Sequence, residues 1–131
     1  KEGKYEGVPF HRVIKGFMAQ SGDFENKNGT GGYSYQGPGT TLDDEYNDNL
    51  THVYGALASA KTAAPKSIGS QFYIVNNPEG APMLDGRYSV FGLMIEGNQT
   101  LDTISNVETT GFEGSTPTEN IEILSVEIEE L

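Results

Sequence analysis

Arg12 and Gln20 are the two side chains whose chemistry is hardest to explain away. They sit inside the stretch Phe10-His11-Arg12-Val13-Ile14-Lys15-Gly16-Phe17-Met18-Ala19-Gln20-Ser21-Gly22-Asp23-Phe24, which is otherwise dense in large apolar groups. A guanidinium is always charged and donates through a rigid fork, and a carboxamide both donates and accepts. Set beside apolar groups on one surface, the pair can orient a ligand. The same residues also suit a core hairpin with Arg12 in a surface ion pair. Either way two strands must position them: one before a turn at Lys15-Gly16 and one after it. Strand alternation puts Phe17 and Ala19 on one face and Met18 and Gln20 on the other.

Two further stretches decide between those uses. They are Ser67-Ile68-Gly69-Ser70-Gln71-Phe72-Tyr73-Ile74-Val75 and Leu84-Asp85-Gly86-Arg87-Tyr88-Ser89-Val90-Phe91-Gly92. FHRVIKGFMAQSGDF, GSQFYIV and LDGRYSVFG, in that order, resemble the cyclophilin family of peptidyl-prolyl cis–trans isomerases. The glycine-rich Asn28–Gly32 and the run Gly55-Ala56-Leu57-Ala58 fit as well, so the resemblance covers nearly the whole chain. It implies a mainly β fold, an eight-stranded antiparallel barrel with capping helices, and a single domain over residues 1–131. Members of that family carry further residues before this first block, forming two strands and a helix. The expectation is therefore an N-terminally incomplete domain, a fragment or one whose opening strands another chain segment supplies, since an unclosed barrel exposes strand edges.

The resemblance also implies roles. Arg12 is the catalytic group and Gln20 holds the substrate backbone and helps position it. Phe17, Met18, Tyr73 and Leu84 line the pocket for the proline ring. Gly29 and Thr30 lie beside the bound peptide, and Ala60, Gln71, Met83 and Tyr88 complete the groove. Many eukaryotic members have Trp where Met83 stands, a residue tied to strong cyclosporin binding, so weak binding of the drug is expected. Tyr88 stands where His is frequent, and Tyr73 where Phe is. Lys61 stands where Asn is usual, in a loop one residue longer than the commonest form. His11 reads as a partly buried histidine with its hydrogen bonds satisfied, and His52 has no assigned role.

Rotating an X–Pro amide crosses about 18–20 kcal/mol, because resonance gives the C–N bond double-bond character. No bond breaks, so the enzyme must favour the twisted amide over both planar forms. In the twisted amide the proline nitrogen regains its lone pair, and the resemblance makes Arg12 its hydrogen-bond donor. Acceleration by 10⁵ needs roughly 7 kcal/mol. One charged hydrogen bond supplies about 1.5–3 kcal/mol; a dry pocket gripping the ring must supply the rest. The expected partners are proline-containing peptides and unfolded proteins, with no metal or other cofactor. Two other readings use the same residues: a proline-segment binding module or chaperone with little turnover, and a barrel holding a small ligand or sugar.

Bulk properties exclude several classes. The 131 residues suit one domain with one core. A net charge of −11, from 8 basic and 19 acidic residues, repels phosphate backbones and anionic membranes. There is no cysteine, hence no disulfide or thiolate chemistry. No apolar run approaches the ~20 residues of a membrane helix, and no signal-like segment opens the chain. A cytoplasmic location is expected, with export or surface anchoring as the alternative.

Other motifs fall away. The glycines of 25–41 lack GxxxxGK[ST], and no Lys lies between Gly29 and Thr41, so they form no phosphate loop. Leu42–Asp48 is acidic but lacks the spacing of a calcium loop. The Asn-x-Thr triplets at Asn28, Asn49 and Asn98 read as chance. Val53–Ala60, Gln71–Asn76 and Ser89–Gly92 read as strands, Lys61–Ile68 as a loop and Gln99–Asn106 as a short capping helix with Leu101 and Ile104 inward. Asp85-Gly86 is a turn signal. Ile121–Ile128 reads as a final strand, bulged where its alternation changes phase.

Overall fold

The computed structural model describes residues 2–62, 66–111 and 113–130; part of the expected Lys61–Ile68 loop, with Pro65, lies outside them. Strands β1 (Arg12–Ile14) and β2 (Met18–Ser21) form the expected hairpin. The Phe17 amide closes its turn by donating to the Ile14 carbonyl at 3.1 Å. Gly16 takes the left-handed conformation, φ 74°, that the turn needs there. Strands β3 (Ala56–Ser59), β4 (Phe72–Val75) and β5 (Val90–Leu93) complete an antiparallel sheet in the order β1-β2-β4-β3-β5. Helix α1 spans Asn98–Ser105, and β6 (Thr109–Thr110) with β7 (Thr116–Pro117) forms a small ribbon.

The central strands of the sheet are buried on both faces, and alternation sorts their residues between them. Met18, Ala56, Ala58, Tyr73 and Val75 face one cluster. Val13, Ala19 and, less deeply, Phe72 and Ile74 face the other. Helix α1 covers this second face: Leu101 is 3 % exposed and Ile104 packs beside it, the i, i+3 pair read from sequence. Burying a leucine of this kind contributes about 1.5–3 kcal/mol.

Phe17 is a correction. It packs with Ile14, Met18 and Tyr73 on the first face, not with Ala19 on the second. Lys15–Phe17 form the turn, so the period of two starts only at Met18. The mainly β, antiparallel character is present as expected. The described residues form five strands plus the two-stranded ribbon, with one α-helix, and they do not show the closed eight-stranded barrel. A second correction concerns the last strand. Backbone pairing reaches Gly7, Val8 and Phe10 only from Ile121 and Ile123, with a bridge between Pro9 and Glu122. Beyond it Leu124 and Ile128 are exposed, and no strand is formed over 124–128. A strand needs a partner for its ladder, and among the described residues this segment has none.

Where β2 ends, Gly22 (φ +100°) lets the chain pass the start of β4. A Cβ there would stand 2.5 Å from the Ser70 carbonyl oxygen and 2.9 Å from the Gln71 Cα, both backbone atoms. Gly22→Ala should therefore cost about 2–3 kcal/mol through strain and forced separation. Urea unfolding checks this: the midpoint drops and the m-value stays the same. An unmoved midpoint would show that the two segments can part freely.

Candidate active site

Register builds the site. Arg12 pairs with Gln20, Gln20 with Tyr73, and Tyr73 with Ala58 across β1, β2, β4 and β3. Directly opposed residues share a face, so the guanidinium, the carboxamide and the phenol ring lie side by side. Met18, two positions from Gln20, joins them. Phe17 comes in from the turn, and Leu84 from a single 3-10 turn at Pro82–Leu84. Together with Ala60, Tyr88 and Lys61 they line a cavity of about 290 Å³. The volume suits one ring of a peptide; drug-sized ligands occupy about 300–1,000 Å³.

Each polar wall has its own support. The two N–H bonds of Gln71 Nε2 go to the carbonyls of Gly29 and Gly31, at 2.9 and 2.7 Å. Its Oε1 then accepts from Gln20 Nε2 at 2.9 Å. That chain fixes the amide orientation of Gln20 and leaves its Oε1 free to accept. The carbonyls of Gly29 and Gly31 are held in turn by Asp23. This carboxylate is fully buried. It accepts five backbone N–H bonds, from Glu25 and Asn26 on Oδ1 and from Asn28, Gly29 and Gly31 on Oδ2. Burial alone would raise its pKa, but these bonds hold it down at about 2.

Arg12 is 38 % exposed along its side chain and stands 3.6 Å from Glu113, which the turn between β6 and β7 presents. The ion pair read from sequence thus exists at the mouth of the cavity. It is an open pair of long side chains, so it contributes little to stability and yields readily to a ligand.

Tyr73 is held from behind. His52 is buried, stacked on Tyr73 with ring centroids 5.8 Å apart, and its Nε2 lies 2.6 Å from the Tyr73 hydroxyl. On its other side Nδ1 lies 2.7 Å from Asp85 Oδ1, which also accepts the His52 backbone N–H at 2.7 Å. The backbone bond and then the ring bond from His52 hold the Asp85 carboxyl below its ordinary range, against some desolvation. With Asp85 ionised, Nδ1 carries the proton and Nε2 accepts from the tyrosine. Burial raises the phenol's pKa, so the ring stays neutral. Tyr73→Phe should therefore lower stability by about 1–2 kcal/mol by orphaning the buried Nε2. It should leave kcat/KM within about threefold, because the hydroxyl is turned to His52. Urea unfolding and peptide kinetics on one preparation separate the two effects; a large kinetic loss would mean the hydroxyl touches substrate.

The expected residues divide cleanly. Arg12, Gln20, Phe17, Met18, Ala60, Tyr73, Leu84 and Tyr88 meet around the cavity. Gln71 stands behind Gln20. Gly29 and Thr30 do not line the cavity: Gly29 abuts His11, whose ring atoms would lie 2.8 Å from an added Cβ, and Thr30 bonds to Asn28. Met83 is 62 % exposed and lies on a neighbouring cavity. His11 is partly buried as expected, but its Nδ1 has no hydrogen-bond partner among the described residues. Burial lowers its pKa, with the Asp23 charge opposing, so the ring is neutral. The sequence assigns no role to Asp23, His52, Lys61 or Glu113. Only Lys61 left a signal, as the departure beside Ala60.

Known proteins carry the same arrangement of chain. A family model described as cyclophilin type peptidyl-prolyl cis-trans isomerase/CLD matches residues 1–128. A Staphylococcus epidermidis protein named "Putative peptidyl-prolyl cis-trans isomerase" is 36% identical over 156 aligned residues, 99% of this chain and 76% of that protein. The crystal structure of a Cryptosporidium parvum cyclophilin type peptidyl-prolyl cis-trans isomerase, obtained in the presence of the dipeptide Ala-Pro, superposes with a TM-score of 0.86. It is 34% identical, covering 98% of this chain and 78% of that one. A second structure of a Cryptosporidium parvum isomerase of this type gives 0.85 at 34% identity, over 97% and 76%.

Proposed function

The chain belongs to the cyclophilin type peptidyl-prolyl cis-trans isomerases and accelerates X–Pro rotation, and from that premise we propose that the cavity between Arg12 and Tyr88 is where the amide is twisted. One observation carries the assignment: register and turn bring Arg12 and Gln20 to the mouth of a small apolar cavity of about 290 Å³. The proline ring enters between Phe17, Met18, Tyr73 and Leu84. Its burial excludes water and holds the ring still while the preceding carbonyl turns. Gln20 Oε1, left free by Gln71, accepts a backbone N–H of the substrate. Arg12 releases Glu113 and donates to the proline nitrogen, whose lone pair is available only in the twisted amide. A charge-assisted bond made in the transition state alone raises kcat rather than tightening ground-state binding.

Proline-containing segments of unfolded or flexible chains are the substrates in this reading. The dipeptide Ala-Pro in the Cryptosporidium crystals supports it. Weak cyclosporin binding belongs to this reading, since Met83 stands where many members of the family carry Trp. The sheet is read as part of an eight-stranded barrel completed by a further segment. Exposed Phe91, Leu93 and Ile95 along and beyond edge strand β5 support that, as do Leu124, Val126 and Ile128.

The test is magnetisation-exchange NMR on a short X–Pro peptide with catalytic amounts of protein, beside proline-limited refolding of a second protein. Both exchange and refolding should quicken. Folded protein that bound the peptide without quickening exchange would move the assignment to a proline-binding module.

A further inference from the structure

We propose that the groove continues past the proline cavity into a subsite for a carboxylate side chain, built on Lys61 and Arg87, so that this isomerase favours X–Pro bonds with an acidic residue beside the proline. The proposal rests on reading the first cavity as the proline site. A second cavity of about 660 Å³ shares Lys61, Leu84 and Tyr88 with it and adds Arg87, Met83 and Asp44. Because the wall is shared, a chain with its proline in the first cavity lays its neighbouring residue into the second; one extended residue advances about 3.3–3.6 Å.

Lys61 stands on that boundary with only 7 % of its side chain exposed. Its ammonium carries three donors. It lies 5.2 Å above the Tyr88 ring and 3.6 Å from Asp44 Oδ1, beyond hydrogen-bond length. Asp44 Oδ1 is itself buried without a hydrogen bond. Asp44 balances its charge, but among the described residues the ammonium has no acceptor within hydrogen-bond length, and a carboxylate oxygen arriving from the groove would supply one. Arg87 is exposed, and among the described residues its guanidinium forms no ion pair. Among the described residues lining this cavity Asp44 is the only carboxylate, and it offsets Lys61 alone. Among the described residues Arg87 thus has no carboxylate partner, in a chain whose net charge is −11. Met83, 62 % exposed on the same wall, offers apolar contact for the methylenes of a glutamate.

The test uses two peptide series, X-Pro-Ala and Ala-Pro-X, with X as Glu, Gln or Lys, read as kcat/KM on the same preparation. In one series Glu should exceed Gln by about fivefold, equivalent to ~1 kcal/mol, and Lys should fall below Gln. The series that shows it gives the direction of the bound chain. Added salt should shrink the preference. Arg87→Gln should bring the Glu-to-Gln ratio close to one, and a ratio within one variant is insensitive to the fraction folded. Lys4→Gln, a cation packed on Phe24 and Tyr33, should leave the ratio alone. Equal rates for Glu and Gln in the unaltered protein overturn the subsite and leave the isomerase assignment standing. A ratio that survives Arg87→Gln, or falls equally with Lys4→Gln, also overturns it. No turnover of any peptide sinks the proline-site reading and the subsite with it.

Discussion

Arg12→Ala should lower kcat by about 100-fold, with the fold intact. The size follows from what is removed. A factor of 100 is ~2.7 kcal/mol, within the range for one hydrogen bond to a charged group. The loss should fall on kcat rather than KM, because the proline nitrogen is no acceptor while the amide is planar. Stability should change little: Arg12 is 38 % exposed and its partner Glu113 is 62 % exposed, so no buried charge is orphaned. Arg12→Lys should recover only part of the rate, since an ammonium cannot reproduce the planar fork. Single-turnover exchange on an X–Pro peptide, with thermal unfolding alongside, reads both quantities. A kcat within about threefold of the unaltered protein would strip Arg12 of its role and leave catalysis to the pocket alone.

Arg12, Gln20, Met18 and Tyr73 were legible because their placement is local. Each lies on a strand whose alternation can be read over a few residues, and the motifs that carry the family resemblance coincide with those strands. Alternation alone puts Phe17 on the wrong face, because the turn at residues 15–17 resets the period. What escaped was everything that depends on contacts between distant segments. Asp85 lies 33 positions from His52, and nothing local distinguishes a turn aspartate from one that fixes a histidine tautomer. Glu113 meets Arg12 only because β7 runs beside β1, where the Val13 amide donates to the Ser115 carbonyl at 2.7 Å. The final segment departs from its sequence pattern for the converse reason. Its apolar alternation is real, but a strand forms only where a ladder partner stands, and alternation does not reveal the partner.

Asp23→Asn should be as damaging to the fold as Arg12→Ala is to the chemistry, although the two side chains differ by one atom. The carboxylate meets only donors: two backbone N–H groups on Oδ1 and three on Oδ2. Whichever way an amide is turned, its NH₂ faces at least two N–H groups at about hydrogen-bond distance, and those lose their acceptor. A loss of about 3 kcal/mol is expected. The pH dependence gives an independent reading. The folded carboxyl is held at about 2 against an ordinary 3.8. A depressed folded value means the stabilisation is fully present above pH 3.8 and drains away as pH falls towards 2. Its size is about 2.5 kcal/mol, from ~1.8 pKa units. Urea unfolding at pH 7, 4 and about 2.5 should show that acid loss in the unaltered protein and a flatter profile in Asp23→Asn. Parallel profiles would mean that other carboxylates carry the acid sensitivity. The effect should also reach the active site. Gln71 takes its orientation from the carbonyls of Gly29 and Gly31, which the Asp23 bonds hold in place, and Gln20 takes its own from Gln71. Asp23→Asn protein that remains folded should therefore bind proline peptides more weakly, with KM rising more than kcat falls. Arg12→Ala should show the opposite split.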